Sequence, residues 1–351
     1  MKTSIFKNFF EYFWGSIFVV FVTTFIAGWW GWTIGGQSGF FQALSIFLIL
    51  LVLEISLSFD NAVVNASILK NWNKLWQMLF LTIGMLIAVF GMRLVFPLVI
   101  VGLTTSMSLI ETWDLAIQNP EKYSEILLKH HAQISAFGGV FLLLIFLDYF
   151  INTEKKNFWL PKIEVNLRKL GNFKGITVFI TLSLLLLITL SSNLSSSEQS
   201  DVIIFGLWGL LSYLSIYILC QSLEKKGSDS VEAIKKGSVG GFIYLEVLDA
   251  SFSIDAVVGA FAITKDVVII MLGLGAGAMA VRSITIYLVK NETLNELIFL
   301  EHGAHYAIGA LAIIMIASVQ IHIPEIITGT IGLFLVLASA VASIKYKNKL
   351  S

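Results

Sequence analysis

The chain has 351 residues, of which 57% are hydrophobic and 13% charged, with a mean hydropathy of +0.85. A soluble domain carries nearer one quarter charged residues, so this composition is that of an integral membrane protein. The 23 basic and 23 acidic side chains cancel, leaving no basic excess to neutralise nucleic-acid phosphates, and a single cysteine, Cys220, allows neither an internal disulfide nor a zinc site.

A transmembrane helix needs about 20 mostly apolar residues, and ten such runs follow in chain order: 13–34, 41–69, 75–101, 130–151, 174–190, 201–222, 239–263, 266–289, 302–320 and 324–344. The first is too long for the apolar core of a signal peptide and reads as a retained span. With both termini cytoplasmic, eighteen of the 23 lysines and arginines fall on the inner side and three outside, while Arg93 and Arg282 lie within spans. That asymmetry orients a ten-span protein of the plasma (inner) membrane with both ends inside. Residues 152–173, basic and carrying Trp159 and Pro161, divide the chain into 1–173 with spans one to four and 174–351 with spans five to ten. This stretch is either a solvated linker or a segment lying along the inner leaflet.

Three segments recur in order. Ser58-Phe59-Asp60 returns as Ser253-Ile254-Asp255, Gly84 with Arg93 as Gly273 with Arg282, and His131 with Ala136-Phe137-Gly138 as His302 with Ala307-Ile308-Gly309. The partners lie five spans apart, and an odd separation reverses orientation. The expected fold is therefore all-α, about ten transmembrane helices arranged as two inverted five-helix repeats, with a binding site at the midplane between them.

Spans two and seven carry the chemistry. Span two holds Glu54, Ser56, Ser58, Asp60, Asn61 and Asn65; span seven holds Glu246, Asp249, Ser251, Ser253 and Asp255. Each acid costs about 2.5–3.5 kcal/mol at a helix centre, so these five must face one another, water or a ligand. The repeat matches Glu54 to Asp249 and Asp60 to Asp255. Six residues put two side chains about 240° apart on a regular helix, so each pair shares a site only where the helix is unwound, or else serves different partners. Carboxylates, amide carbonyls and hydroxyls suit a hard divalent cation, Mn²⁺, Ca²⁺ or Mg²⁺, better than zinc or copper. Glu54, Asp60, Asn61, Asp249 and Asp255 are the candidate metal ligands; Ser58, Asn65, Glu246 and Ser253 are candidates for the same shell or its support. Arg93 and Arg282 are candidate charge partners. Four ionised acids around one divalent ion leave negative charge uncompensated, which suggests protons moving opposite to the metal. His131, His302 and His305 stand at span entrances as candidate vestibule residues; His302 and His305, three apart, share a helical face.

The same residues carry a family resemblance. Phe59-Asp60-Asn61-Ala62-Val63-Val64 resembles the first signature of the TerC family, membrane proteins that include manganese exporters of the Alx type. The stretch from Asp249 through Asp255, continued by Phe261–Asp266 to Arg282, resembles the second, and chain length places the resemblance in the family's branch of long members, the DUF475 group. The resemblance implies export of a divalent metal, foremost Mn²⁺, as transported ion rather than tightly bound cofactor, with Asp60, Asn61 and Asp255 at the acidic motif positions. Typical members continue the second signature Asp-Ser-Ile-Pro-Ala, whereas here Asp255 is followed by Ala256-Val257-Val258-Gly259-Ala260, so any break there falls to Gly259 or to solvent. Apart from the ion, the expected partner is the lipid bilayer. No Gly-rich phosphate loop, Cys/His metal set or nucleophile–base arrangement points to an enzyme. The expected function is therefore metal export, with a non-transporting scaffold or metallation factor, a Ca²⁺ or Mg²⁺ transporter, and a tellurite- or metal-stress protein as the alternatives.

Overall fold

The computed structural model describes residues 2–350 except 85, 106, 153–156, 224–236, 291–296 and 322, and leaves out the side chains of 2–11, 92, 94, 96, 100, 103, 104, 220–223, 254, 255, 262, 325, 326, 349 and 350. Among the described residues there is no strand. Seven helical stretches are long and apolar enough to cross a membrane: Tyr12–Leu57, Lys74–Gly91, His131–Ile151, Ser196–Leu219, Val267–Lys290, Leu300–Ala317 and Ile327–Asn348. The protein is an all-helical, multi-pass membrane protein, and among the described residues each of the ten apolar runs lies largely on helix.

Helix α1 (Lys2–Leu57) is two helices joined at Gly35 and Gly36, where the backbone leaves helical angles and Gly36 takes φ 57°. Only glycine adopts that conformation cheaply. The limbs fold back on one another, and they close tightly because Gly31 and Gly39 lack side chains: a Cβ at Gly31 would collide with the Gly39 carbonyl and Ala43. Trp30 is anchored near this turn, its Nε1 donating to Asp266 Oδ2 at 2.9 Å. The second limb ends at Ser58, whose angles (φ −100°, ψ 11°) interrupt the run before α2 (Phe59–Leu69).

The third run forms one winding unit: α3 (Lys74–Leu79), π-helical segments Phe80–Gly84 and Ile87–Val95, then α4 (Phe96–Thr105). The wider π coil re-aims side chains relative to a regular helix and is often found at functional sites; Arg93 lies within it. Two short helices follow, α5 (Leu109–Gln118) and α6 (Pro120–Lys129). The first opens with a capping box between Ser108 and Glu111, the second with Asn119 as cap and Pro120 in its first turn. Glu111 stays ionised below the usual carboxylate range because it accepts the Ser108 backbone N–H and hydroxyl.

Helix α7 (His131–Ile151) runs through the middle, mostly buried, whereas most of α1 is not. The basic stretch folds in part as α8 (Pro161–Leu170), followed by α9 (Ile176–Leu190) and α10 (Ser196–Leu223). The second acidic run is α11 (Val239–Ile263), helical throughout, Gly259 included. Then come α12 (Val267–Lys290), α13 (Leu300–Ala317) and α14 (Glu325–Leu350). The main apolar core joins Val63, Val64 and Leu69 of α2 to Phe141 and Leu142 of α7, Leu245, Leu248 and Phe252 of α11, and Ile308 and Met315 of α13. Glycine lets these helices approach: Gly138 faces Met315, Gly309 faces Phe146, and Gly273 and Gly277 of α12 receive Leu50 and Glu54 of α1.

A buried acid–amide cluster in the helix core

The break at Ser58 and the π coil at Arg93 bring two chain-distant charges together. Arg93 Nη2 forms an ion pair with Glu54 Oε1, and Arg93 Nη1 donates to the Ala88 carbonyl at 2.8 Å. Ser58 Oγ donates to the same Glu54 oxygen at 2.7 Å. Glu54 is fully buried and Arg93 nearly so. This hydroxyl bond, made by the residue at which the helix is interrupted, couples the local backbone to the charge pair.

Across the interface, α11 presents Asp249, whose Oδ1 accepts the Asn61 amide; Asn65 hydrogen-bonds the same carboxylate. Arg93 and Glu54 are both near enough to act on Asp249 electrostatically. Glu246, one turn earlier, lies against Gly84 and has neither carboxylate oxygen hydrogen-bonded among the described residues. Among the described residues, buried oxygens without a donor collect here: Glu54 Oε2, Asn61 Oδ1, Asn65 Oδ1 and both Glu246 oxygens; Ser253 Oγ, one turn beyond Asp249 on α11, is also buried without a partner there. A buried acceptor with no partner is costly, so an oxygen-rich cluster of this kind favours a cation or water.

Asp60 belongs to a neighbouring compartment. Its Oδ1 accepts the Asn61 backbone N–H at 2.9 Å, while its carboxylate borders a cavity of about 10 Å³ lined by Leu57, Phe252, Ala256, Ala307 and Thr328. Gly332 of α14 is what leaves room for it, since a Cβ there would stand 3.1 Å from Asp60 Oδ2. Glu54 and Asp60 thus serve different partners, the outcome their six-residue spacing allows. The side chain of Asp255, matched to Asp60 by the repeat, lies outside the described residues. Among the described residues no three His, Cys, Asp or Glu side chains are grouped to hold a metal ion; the oxygen donors gathered around Asp249 are instead one carboxylate, its pair of amides and Glu246.

The two membrane arginines differ. Arg93 is a charge partner of Glu54, whereas Arg282 meets no acid among the described residues and its buried Nε has no hydrogen-bond partner there. The histidines have local partners: His131 Nε2 lies 3.2 Å from Ser135 Oγ, and His305 Nδ1 lies 2.8 Å from the Glu301 carbonyl while its ring stacks on Tyr149 at 3.5 Å. His302 Nε2 sits 2.9 Å from the Asn157 carbonyl and 3.5 Å from Glu164 Oε2. Glu164 is itself buried and accepts the backbone N–H groups of Trp159 and Leu160, pinning α8 to α13. Sequence reasoning missed Glu164 as an anchor; its signal was an acid three residues beyond Pro161, where a first-turn carboxylate turns back on its own helix start. It also missed Asp148 within α7, whose carboxylate accepts the Tyr213 hydroxyl of α10. The tryptophans divide likewise: Trp29 and Trp32 face outward as an interfacial pair should, but Trp30 turns in to Asp266.

A family model described as a protein of unknown function, DUF475, matches residues 59–350. No curated protein and no solved structure matches the chain.

Proposed function

The chain belongs to the DUF475 family, and from its geometry we propose that it is a transporter moving a hard divalent cation, foremost Mn²⁺, outward across the plasma (inner) membrane. The observation that carries this reading is the set of buried oxygen acceptors around Asn61, Asn65, Glu246 and Asp249 that have no donor among the described residues. Five such oxygens in one region fit a hard cation as cargo; the absence of thiol or imidazole among them fits Mn²⁺, Ca²⁺ or Mg²⁺ better than a softer ion.

The proposed architecture is two inverted five-helix repeats, termini inside, and reciprocal packing supports it. Gly138 and Gly309, matched in sequence, each pack on the other's helix, at Met315 and Phe146. Gly84 and Gly273, also matched, pack on Glu246 and Leu50, positions that the repeat places one residue from equivalence. Arg93 supplies an internal positive charge at Glu54, so the ion competes with a guanidinium for the shared field of Glu54 and Asp249. Release of the ion to one side is balanced in this scheme by protons taken up on the acids left behind, giving exchange of metal for protons.

The test is Mn²⁺ flux in proteoliposomes or inside-out vesicles, with wild type compared to correctly inserted Asp249→Asn, Asp60→Asn and Asp255→Asn proteins and with Ca²⁺, Mg²⁺ and Zn²⁺ as competitors. Flux is expected in wild type and at least tenfold lower in Asp249→Asn, and collapse of the pH gradient is expected to slow it. A well-folded wild type without flux and without metal binding overturns the reading. The Arg93–Glu54 pair would then favour a second one, a non-transporting scaffold whose buried charges hold helices together.

A further inference from the structure

Arg282 lies on the wall of a cleft of about 480 Å³ between α12, the first limb of α1 and the π-helical region. The cleft is lined by hydrocarbon from Val19, Leu86, Phe90, Met271 and Met279. Its two other polar residues are committed elsewhere: the Thr23 hydroxyl donates to the Val19 and Val20 carbonyls, and the Thr82 hydroxyl to the Met78 carbonyl. The guanidinium is thus the uncommitted polar group of an apolar cleft, with Nε buried and unbonded among the described residues.

Depth matters. Arg282 is eight residues, about 12 Å of helix, from Lys290, which lies over the Tyr12 ring at 5.3 Å. A charge at that depth costs several kcal/mol unless an anion meets it, and a long arginine side chain reaches toward the nearer interface. Met271 lies eleven residues, about 16 Å of helix, deeper along the same wall. A ligand that satisfies both features has an anionic head at the level of Arg282 and a hydrocarbon tail along the cleft. Free phosphate has no tail to fill it.

We propose that this cleft binds an anionic phospholipid of the leaflet at the Lys290 end of α12, with its phosphate on the Arg282 guanidinium and an acyl chain against Phe90 and Met271. Planar guanidinium matches phosphate with two parallel hydrogen bonds, which a lysine cannot reproduce.

The test uses full-length protein in phosphatidylcholine nanodiscs containing a minor fraction of phosphatidylglycerol, with retained lipid counted by native mass spectrometry. Wild type is expected to retain phosphatidylglycerol above its bulk fraction. Arg282→Gln is expected to lose about tenfold of that preference, the effect of removing one charge-assisted pair, and Arg282→Lys to fall between. Gly275→Leu provides a variant that leaves the charge intact and fills the cleft: a Cβ there meets only Val89 Cγ1, at 3.6 Å, so the backbone tolerates it. The same loss is expected. Unchanged retention in Arg282→Gln or in Gly275→Leu overturns the proposal, as does displacement of the lipid by oleate or by inorganic phosphate at equal concentration.

Discussion

The two acidic helices of this protein began as similar sentences and ended as different structures. In the first, the backbone is interrupted at Ser58, Glu54 is neutralised by Arg93, and Asp60 is directed into a separate small cavity. In the second, α11 runs unbroken past Gly259; its acids at 246 and 249, three apart, share a face toward the first. A charge inside a membrane is tolerated either by an internal counter-ion or by a neighbourhood of oxygens and amides, and here each solution occupies one helix. The difference teaches that the first helix fixes its buried acid against a guanidinium, while the second presents Asp249 to the amides of Asn61 and Asn65 and Glu246 to no donor among the described residues.

The sharpest way to break that contrast is to remove the counter-ion. Arg93→Met leaves Glu54 buried and unpaired, with an expected loss of about 3–5 kcal/mol in unfolding free energy. Adding Glu54→Gln should return much of it, because the uncompensated charge goes too. Glu246→Gln, by contrast, removes a charge whose oxygens have no donor among the described residues, and stability should hold or rise. Thermal or denaturant unfolding of the four proteins in one detergent reads both effects; equal losses for Arg93→Met and Glu246→Gln would erase the distinction.

Packing gives the next test, smaller in size. A methyl group at Gly277 would stand 2.6 Å from Glu54 Cβ and 3.0 Å from the Leu51 carbonyl, atoms that cannot move aside without shifting the helix. Gly277→Ala should therefore cost about 1–2 kcal/mol, overpacking outweighing the gain in helix propensity. At Gly84 the closest atom is Oε1 of Glu246, the far end of a flexible side chain, with the Phe80 ring next at 3.0 Å. Gly84→Ala should cost less than Gly277→Ala by the same unfolding assay, and a cost equal to that at Gly277 would mean that Glu246 and Phe80 are together as fixed as Glu54.

Much of this fold was legible before any coordinates. Hydrophobic runs located the helices because lipid demands continuous apolar length, and Gly35-Gly36 fell in the gap between the first two. The pairing of Arg93 with an acid followed from the cost of leaving either alone. What the sequence concealed has physical reasons. Whether Ser58 or Gly259 interrupts its helix depends on the packing around each, and the motif is nearly the same in both places. The π coil that re-aims Arg93 leaves no residue signature, and Glu164 reads as an ordinary surface acid until α8 packs it against His302 and Tyr306 of α13. The separation of Asp60 from Glu54 depends on Gly332, 272 residues away along the chain.

The finest comparison is between the matched serines. Ser58 Oγ gives its hydrogen to Glu54 at 2.7 Å, and Ser253 Oγ is buried with no hydrogen-bond partner among the described residues. If the first helix holds its charge by hydrogen bonding as well as by Arg93, Ser58→Ala should cost about 1 kcal/mol, near the upper part of the range seen for polar contacts between membrane helices. Ser253→Ala deletes an unmet hydroxyl in a tight site, so unfolding should be unchanged or slightly harder. Under the proposed transport, metal flux should invert the order: Ser253 stands two residues from Asp255 and one turn from Asp249, so its removal should lower apparent Mn²⁺ affinity about threefold while Ser58→Ala leaves affinity alone. Stability and affinity measured on the same two proteins then separate a serine that holds a charge from one that holds a place for an ion, and a common change in both would reduce the two helices to one design.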